Sequence, residues 1–157
     1  MFGKMNSEEI DTLLHKQLVG YIGCHADGLT YVVPVSYMYD GKHVYVHSHE
    51  GMKLDVMRKN PKVCFQVDDT RDLANWQCAI CQGEFEELED DAAKREAFQK
   101  LRSRVLPIVT SQTMHLSADW PFYAGKDEPL EGIYFRIAIQ DMTGRFEKED
   151  RSDYFAT

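Results

Sequence analysis

A chain of 157 residues, 43% hydrophobic and 28% charged, has the size and composition of one globular domain with a substantial core. Its net charge of −8 disfavours broad electrostatic binding to nucleic acid or to an anionic membrane surface, and no apolar run approaches the length of a membrane span. The opening MFGKMNSEEI has no apolar signal region, so a cytoplasmic protein is expected, with Cys24, Cys64, Cys78 and Cys81 as reduced core residues rather than a disulfide framework.

Asn6 or Ser7 caps a first helix over about 7–18, with Glu9 as the partner of a capping box and Ile10, Leu13, Leu14 and Leu18 as its apolar face. Val19–Ala26 reads as a strand ending at the hairpin signal Asp27-Gly28. Leu29–Tyr39 and Lys42–Ser48 flank a second such signal, Asp40-Gly41, so the first three strands are expected to form a meander. Met52–Asn60 is a short helix stopped by Pro61. Lys62–Asp68 is a strand with Val63, Phe65 and Val67 on one face, and Trp76–Leu88 is a long strand that Gly83 marks for a bulge or bend. Glu89–Leu106 has the acidic start and basic end of a helix aligned with its macrodipole, the basic end being Lys100, Arg102 and Arg104. Ile108–Leu130 reads as a short helix and a loop, Glu131–Met142 as the last strand, and 144–157 as a charged, partly disordered tail. No linker divides the chain, so one domain over 1–157 is expected, mainly β with flanking helices. Six strands of similar length suggest a small closed barrel.

Cys78 and Cys81 have the spacing of a redox pair or half a zinc site, but residues three apart on a strand point to opposite faces, and no second cysteine pair follows. They read as core cysteines. His47 and His49, two apart, would share a face of an extended strand, yet Glu50 is their only acidic neighbour, and no metal site is assigned. Neither a glycine-flanked serine nucleophile nor a glycine-rich dinucleotide or phosphate loop is present. The strongest pattern is the passage from Ser48 through Gly51 into a helix carrying Lys53 early in its first turn. A strand end, a helix N-terminus and a lysine together suit a phosphate group; a solvated lysine on an amphipathic helix is the plainer alternative.

The ordered set Asp27-Gly28, YVVPVSY, Asp40-Gly41, VYVHS and EGMKLDVMRKNPKVCF resembles the split-barrel flavoproteins related to pyridoxamine 5′-phosphate oxidase, most closely their nitroimidazole-resistance-like branch. Cys81-Gln82-Gly83-Glu84-Phe85 and Met142-Thr143-Gly144-Arg145 extend the likeness. The resemblance implies a six-stranded FMN-binding split β-barrel that holds FMN at a homodimer interface. It implies that Val33, Pro34, Val35 and Ser36 line the isoalloxazine, and that Val46, His47 and Ser48 follow the ribityl chain and phosphate. Met52 and Lys53 would open the phosphate-binding helix, with Gln82, or Cys78 near it, approaching the ring. His47 is the candidate substrate-proximal proton donor. Ser36 stands where true oxidases carry a substrate-contacting lysine, and Met52 where they carry a second basic residue, so oxidation of pyridoxamine phosphate is not expected. The implied activity is reduction of small electron-poor organic molecules, with NAD(P)H as candidate donor. A haem-binding split barrel using His47, His49 or His115, and a flavin or small-ligand sensor, are the alternatives.

Overall fold

The computed structural model describes residues 1–104 and 132–149. The helix and loop expected over Ile108–Leu130, and His115 with them, lie outside the described residues. All six expected strands are present, in an eight-stranded antiparallel sheet ordered β3-β2-β6-β7-β8-β5-β4, with β1 paired to β8. The strands are β1 Phe2–Lys4, β2 Val19–Ala26, β3 Leu29–Ser36, β4 Met38–Tyr39, β5 His43–Ser48, β6 Lys62–Asp72, β7 Asn75–Leu88 and β8 Ile133–Glu147. The helices among the described residues are α1 Ser7–Lys16, α2 Met52–Lys59 and α3 Asp91–Arg102.

The local chemistry accounts for most element boundaries. Asn6 Oδ1 accepts from Glu9 N–H at 2.9 Å, and the Asn6 side-chain amide donates back to Glu9 Oε1 at 3.0 Å. Asp27 and Gly28 both have positive φ (51° and 79°), as a type I′ hairpin turn requires, and they join β2 to β3 in register. Gly83 sits at a register shift between β7 and β8. A Cβ there would lie 2.5 Å from Ala138 O, so the bulge needs glycine.

Three expectations change. The first three strands do not form a meander, because β3 and β5 stand near opposite edges of the sheet. Tyr37 is the crossing point: its N–H donates to Leu18 O at 3.1 Å and its hydroxyl to Leu14 O at 2.6 Å, so α1 captures it and breaks the apolar run Leu29–Tyr39 in two. Asp40-Gly41 therefore joins only the short β4 to β5. The barrel is not closed either. β3 and β5 touch, but no ladder joins them, so the barrel is split between its edges. Finally, Gly144–Glu147, expected as the start of the tail, belongs to β8, which pairs with both β1 and β7; the rest of the expected tail from residue 150 lies outside the described residues. β1 supplies hydrogen bonds that this charged segment does not advertise in its side chains.

One core fills the inside of the curled sheet and extends under α1 and α2; a second, around Tyr45, Leu88, Phe98, Leu101 and Tyr134, lies between the outer face and α3. Phe65 lies at the centre of the first. It is fully buried, meets the Tyr37 ring edge-on at 4.9 Å, and occupies the space that a side chain at Gly20 would need.

A charged cluster pins α3 to the β4–β5 turn. Lys100 Nζ lies 2.7 Å from Asp40 Oδ2 and 3.2 Å from the Tyr45 hydroxyl. Burial alone would raise the Asp40 pKa, but the bonds from Lys100 and from the His43 and Lys42 amides outweigh it and hold the carboxyl at about 2, below its ordinary value of 3.8. A depressed carboxyl stabilises the fold above pH 3.8 and loses that contribution as pH falls towards 2. Asp40 is 17% exposed, so the shift corresponds to about 2 kcal/mol. Asp40→Asn is expected to lower stability by that order at pH 7 and to flatten the acid limb between pH 4 and 2, read by urea melts across pH. Equal losses at pH 7 and at pH 2 would contradict this.

Candidate functional site

The Ser48–Gly51 passage becomes the start of α2. Gly51 is extended (φ 173°), and no side chain among the described residues caps the helix. The amides of Met52 and Lys53 have no acceptor among the described residues; the first intrahelical bond comes from Asp55 N–H to Gly51 O. No atom of the described residues lies within 4 Å of the place a Gly51 Cβ would take. Lys53 is half-buried and forms no ion pair among the described residues. Glu50, which would repel an anion here, is held by both terminal nitrogens of Arg58 at 2.8 and 2.9 Å, while Arg58 Nε reaches Glu87 at 2.6 Å. Amides and an ammonium without partners among the described residues, beside a neutralised carboxylate, fit a phosphate monoester. Sequence reasoning missed Arg58, whose partner Glu87 lies 29 residues away.

α2 also bridges the split. It follows β5, and its far end is tied to the β2–β3 turn by Asn60 Nδ2 to His25 O at 2.8 Å and Lys59 to Asp27 at 3.0 Å. Met52 is exposed at its start. Ser48 is 6% exposed and its hydroxyl donates to His49 O at 2.9 Å.

Strand alternation divides the other candidates. On the edge strand β3, Val35 is buried and Val33 is partly buried against the core, so these two can offer a ligand only backbone atoms; Pro34 and Ser36 face outward. On β5, Val46 and Ser48 share the inner face, whereas His47 turns to the α3 side. There its ring lies 4.6 Å from Tyr134 and 5.9 Å from His49. Gly132, with φ +86°, makes room for it; a Cβ would stand 2.6 Å from His47 Nε2. Burial raises the Tyr134 hydroxyl to about 12. Gln82 is exposed on the outer face of β7, opposite Cys64 and Asp141, and a single chain does not bring it to Ser48 and Lys53 through any described contact. Cys78 faces outward and Cys81 inward, so they form no pair; burial pushes the Cys81 thiol up to about 12, where it is inert. No cluster of metal-ligating side chains occurs among the described residues.

Two clefts, of about 460 and 440 Å³, lie elsewhere: one between the β1–α1 segment and β8, the other beside Trp76 and Phe146. The outward half of β3-β2-β6-β7 is open and weakly charged, with Val19, Tyr21, Val32 (64% exposed), Pro34 and Ile80 on it, while α3 covers the other half. No described helix is long and apolar enough to cross a membrane.

An antiparallel sheet curled until its edges touch, bridged at the split by a helix with an open N-terminus, defines a split-barrel protein. The family model described as Pyridoxamine 5′-phosphate oxidase matches residues 6–146, and the chain belongs to that family. A FAD-binding protein from Mesorhizobium loti is 28% identical, with a TM-score of 0.72 over 94% of this chain and 99% of that one. A proposed 5-nitroimidazole antibiotic resistance protein from Bacteroides thetaiotaomicron shares the fold at 20% identity and a TM-score of 0.68, over 93% and 87% of the two chains. An uncharacterised protein of Rhizobium meliloti is 31% identical over 84 residues, 54% of this chain; the match spans 56% of that relative's length.

Proposed function

We propose that the protein is an FMN-dependent oxidoreductase that reduces small electron-poor organic molecules as a homodimer. The observation that carries the reading is the start of α2, uncapped among the described residues, beside Lys53, which forms no ion pair with any of them. The Met52 and Lys53 amides and the Lys53 ammonium would hold the phosphate, joined by the Ser48 hydroxyl once it turns from His49 O. The β3 backbone at Val33–Val35, with Pro34 and Ser36, would carry the ring, and Val46 would lie along the ribityl chain. Gln82 and Cys78, outward on β7, would approach the ring of a second copy, and the open outer face is where that copy would dock. His47, on the α3 side with Tyr134, is assigned to the substrate rather than to the phosphate. The bound flavin would supply two-electron transfer through its N5. The protein's part is to fix the ring, exclude water and offer a proton. FAD carries the same riboflavin phosphate, and the likeness to the Mesorhizobium FAD-binding protein makes it the second ligand to test.

The test is anaerobic. Reconstituted protein mixed with NADH or NADPH should lose flavin absorbance and regain it on adding a nitroaromatic acceptor. Light scattering should give a dimer, and Ile80→Glu should give a monomer with at least tenfold weaker flavin binding. Bound flavin that neither donor bleaches and no acceptor reoxidises would instead mark a flavin sensor.

A further inference from the structure

β8 changes partners along one edge, and the change leaves a gap in the sheet. Its ladder with β5 ends at the pair His43–Ala138, and its ladder with β1 begins at the pair Lys4–Arg145. Between them the chain leaves β1 through Met5 and Asn6 into α1, and enters β5 from Gly41 and Lys42. The edge of β8 from Ile139 to Met142 is therefore the floor of the cleft of about 460 Å³, with those two turns as its ends. One bond closes each end: Met5 N–H donates to Gly144 O at 3.0 Å, and Ile139 N–H to Lys42 O at 3.2 Å.

In an antiparallel strand the N–H and C=O of one residue point the same way, and alternate residues share a side. Gly144 turns its backbone towards Met5, so Met142, two residues before it, also turns away from β7 and into the cleft. The register shift that skips Gln140 restores the same side at Ile139. Neither the N–H nor the C=O of Met142 has a backbone partner among the described residues. Both groups are obligatory hydrogen-bonding groups, and together they are the unit to which another strand adds.

We propose that this gap is a docking site for an extended peptide segment of a partner protein, which adds to β8 between β1 and β5 and carries an apolar residue followed by a basic one. β1 and β5 lie in line, both antiparallel to β8, and a peptide running from Met5 towards Lys42 continues that line. Its residue opposite Met142 exchanges two hydrogen bonds with it and turns its side chain inward, where Met5, Ile10, Ile139 and Met142 supply an apolar lining. The next residue stands opposite Asp141, which is exposed on a chain of net charge −8, so a lysine or arginine fits there. The inference is independent of the flavin reading.

The test is amide hydrogen exchange of the full chain, resolved by NMR, with and without millimolar acetyl-Thr-Val-Lys-Thr-amide. In the free protein the Met142 amide should exchange about tenfold faster, or more, than that of Thr143, which faces β7; the peptide should slow Met142 about tenfold and leave Thr143 unchanged. Two analogues separate strand pairing from apolar adhesion. N-methylation of the valine, whose N–H would bond to Met142 O, should abolish the protection, and N-methylation of the lysine, whose N–H points away, should not. Asp141→Ala should weaken binding of the lysine peptide about two- to fivefold, and should leave a peptide with alanine at that place unaffected. No protection of Met142 at millimolar peptide, or equal protection by the two N-methyl analogues, would overturn the inference. A Met142 amide as slow as Thr143 in the free protein, or one whose protection rises with protein concentration, would assign the gap to the chain itself or to a second copy and would also overturn it.

Discussion

Lys53→Ala is expected to weaken FMN binding by roughly ten- to a hundredfold while leaving the melting temperature of the ligand-free protein almost unchanged. Lys53 is half-buried and forms no ion pair among the described residues, so its removal breaks nothing that holds the fold. A charge-assisted hydrogen bond contributes about 1.5–3 kcal/mol, and each 1.4 kcal/mol is about tenfold in affinity. The chemical control is riboflavin, which lacks the phosphate: its affinity should be nearly the same for parent and variant, so the variant loses the preference for FMN. Fluorescence titration of the ligand-free protein with both compounds reads this directly. Equal loss for FMN and riboflavin would place Lys53 at the ring rather than at the phosphate, and no loss for either would remove it from the site. The Arg58 clamp sharpens the expectation. Arg58→Met frees Glu50 to repel the phosphate, so it should weaken FMN binding in the same direction without Arg58 itself touching the ligand.

Phe65→Ala is expected to cost about 3–5 kcal/mol, the range for emptying a fully buried aromatic position. The site cannot easily collapse. Gly20 on β2 has no side chain to move in, and Tyr37 is fixed from behind by Leu14 O and Leu18 O. Most single domains have only about 5–15 kcal/mol of stability in total. Phe65→Leu, which keeps most of the volume, should cost much less. Urea melts of the two variants check the ordering; equal costs would mean that the ring's own contact with Tyr37, rather than the volume it fills, carries the contribution.

The parts of the fold legible in the sequence are those set by neighbours in the chain. Asp27-Gly28 states a turn because both residues take positive φ, and Asn6 states a helix start because its cap partner Glu9 is three residues away. Gly83 states a bulge because no side chain fits against Ala138. What was not legible depends on contacts far along the chain. Leu29–Tyr39 looks like one strand, and only the capture of Tyr37 by α1 sends the chain across the split. GRFE, from Gly144, looks like the start of a tail until β1 and β7 pair with it.

The candidate site divides in the same way. Ser48, Gly51, Met52 and Lys53 form one continuous segment, so their grouping could be read directly. The alternation of β5 separates His47 from Val46 and Ser48, which a contiguous motif conceals. Arg104 was legible only as a basic residue at a helix end; nothing local points it at Ser36, 68 residues earlier. Gln82 belongs to a face that a single chain leaves open, so its role depends on a second copy.

The central claim is that α2 and β3 hold a flavin phosphate and its ring. The most direct measurement is the absorption spectrum of the purified protein, followed by mass analysis of the ligand released on denaturation. The account predicts flavin bands near those of free riboflavin derivatives and a released compound with the mass of FMN. A Soret band, or a colourless protein that takes up neither FMN nor FAD on reconstitution, would contradict it.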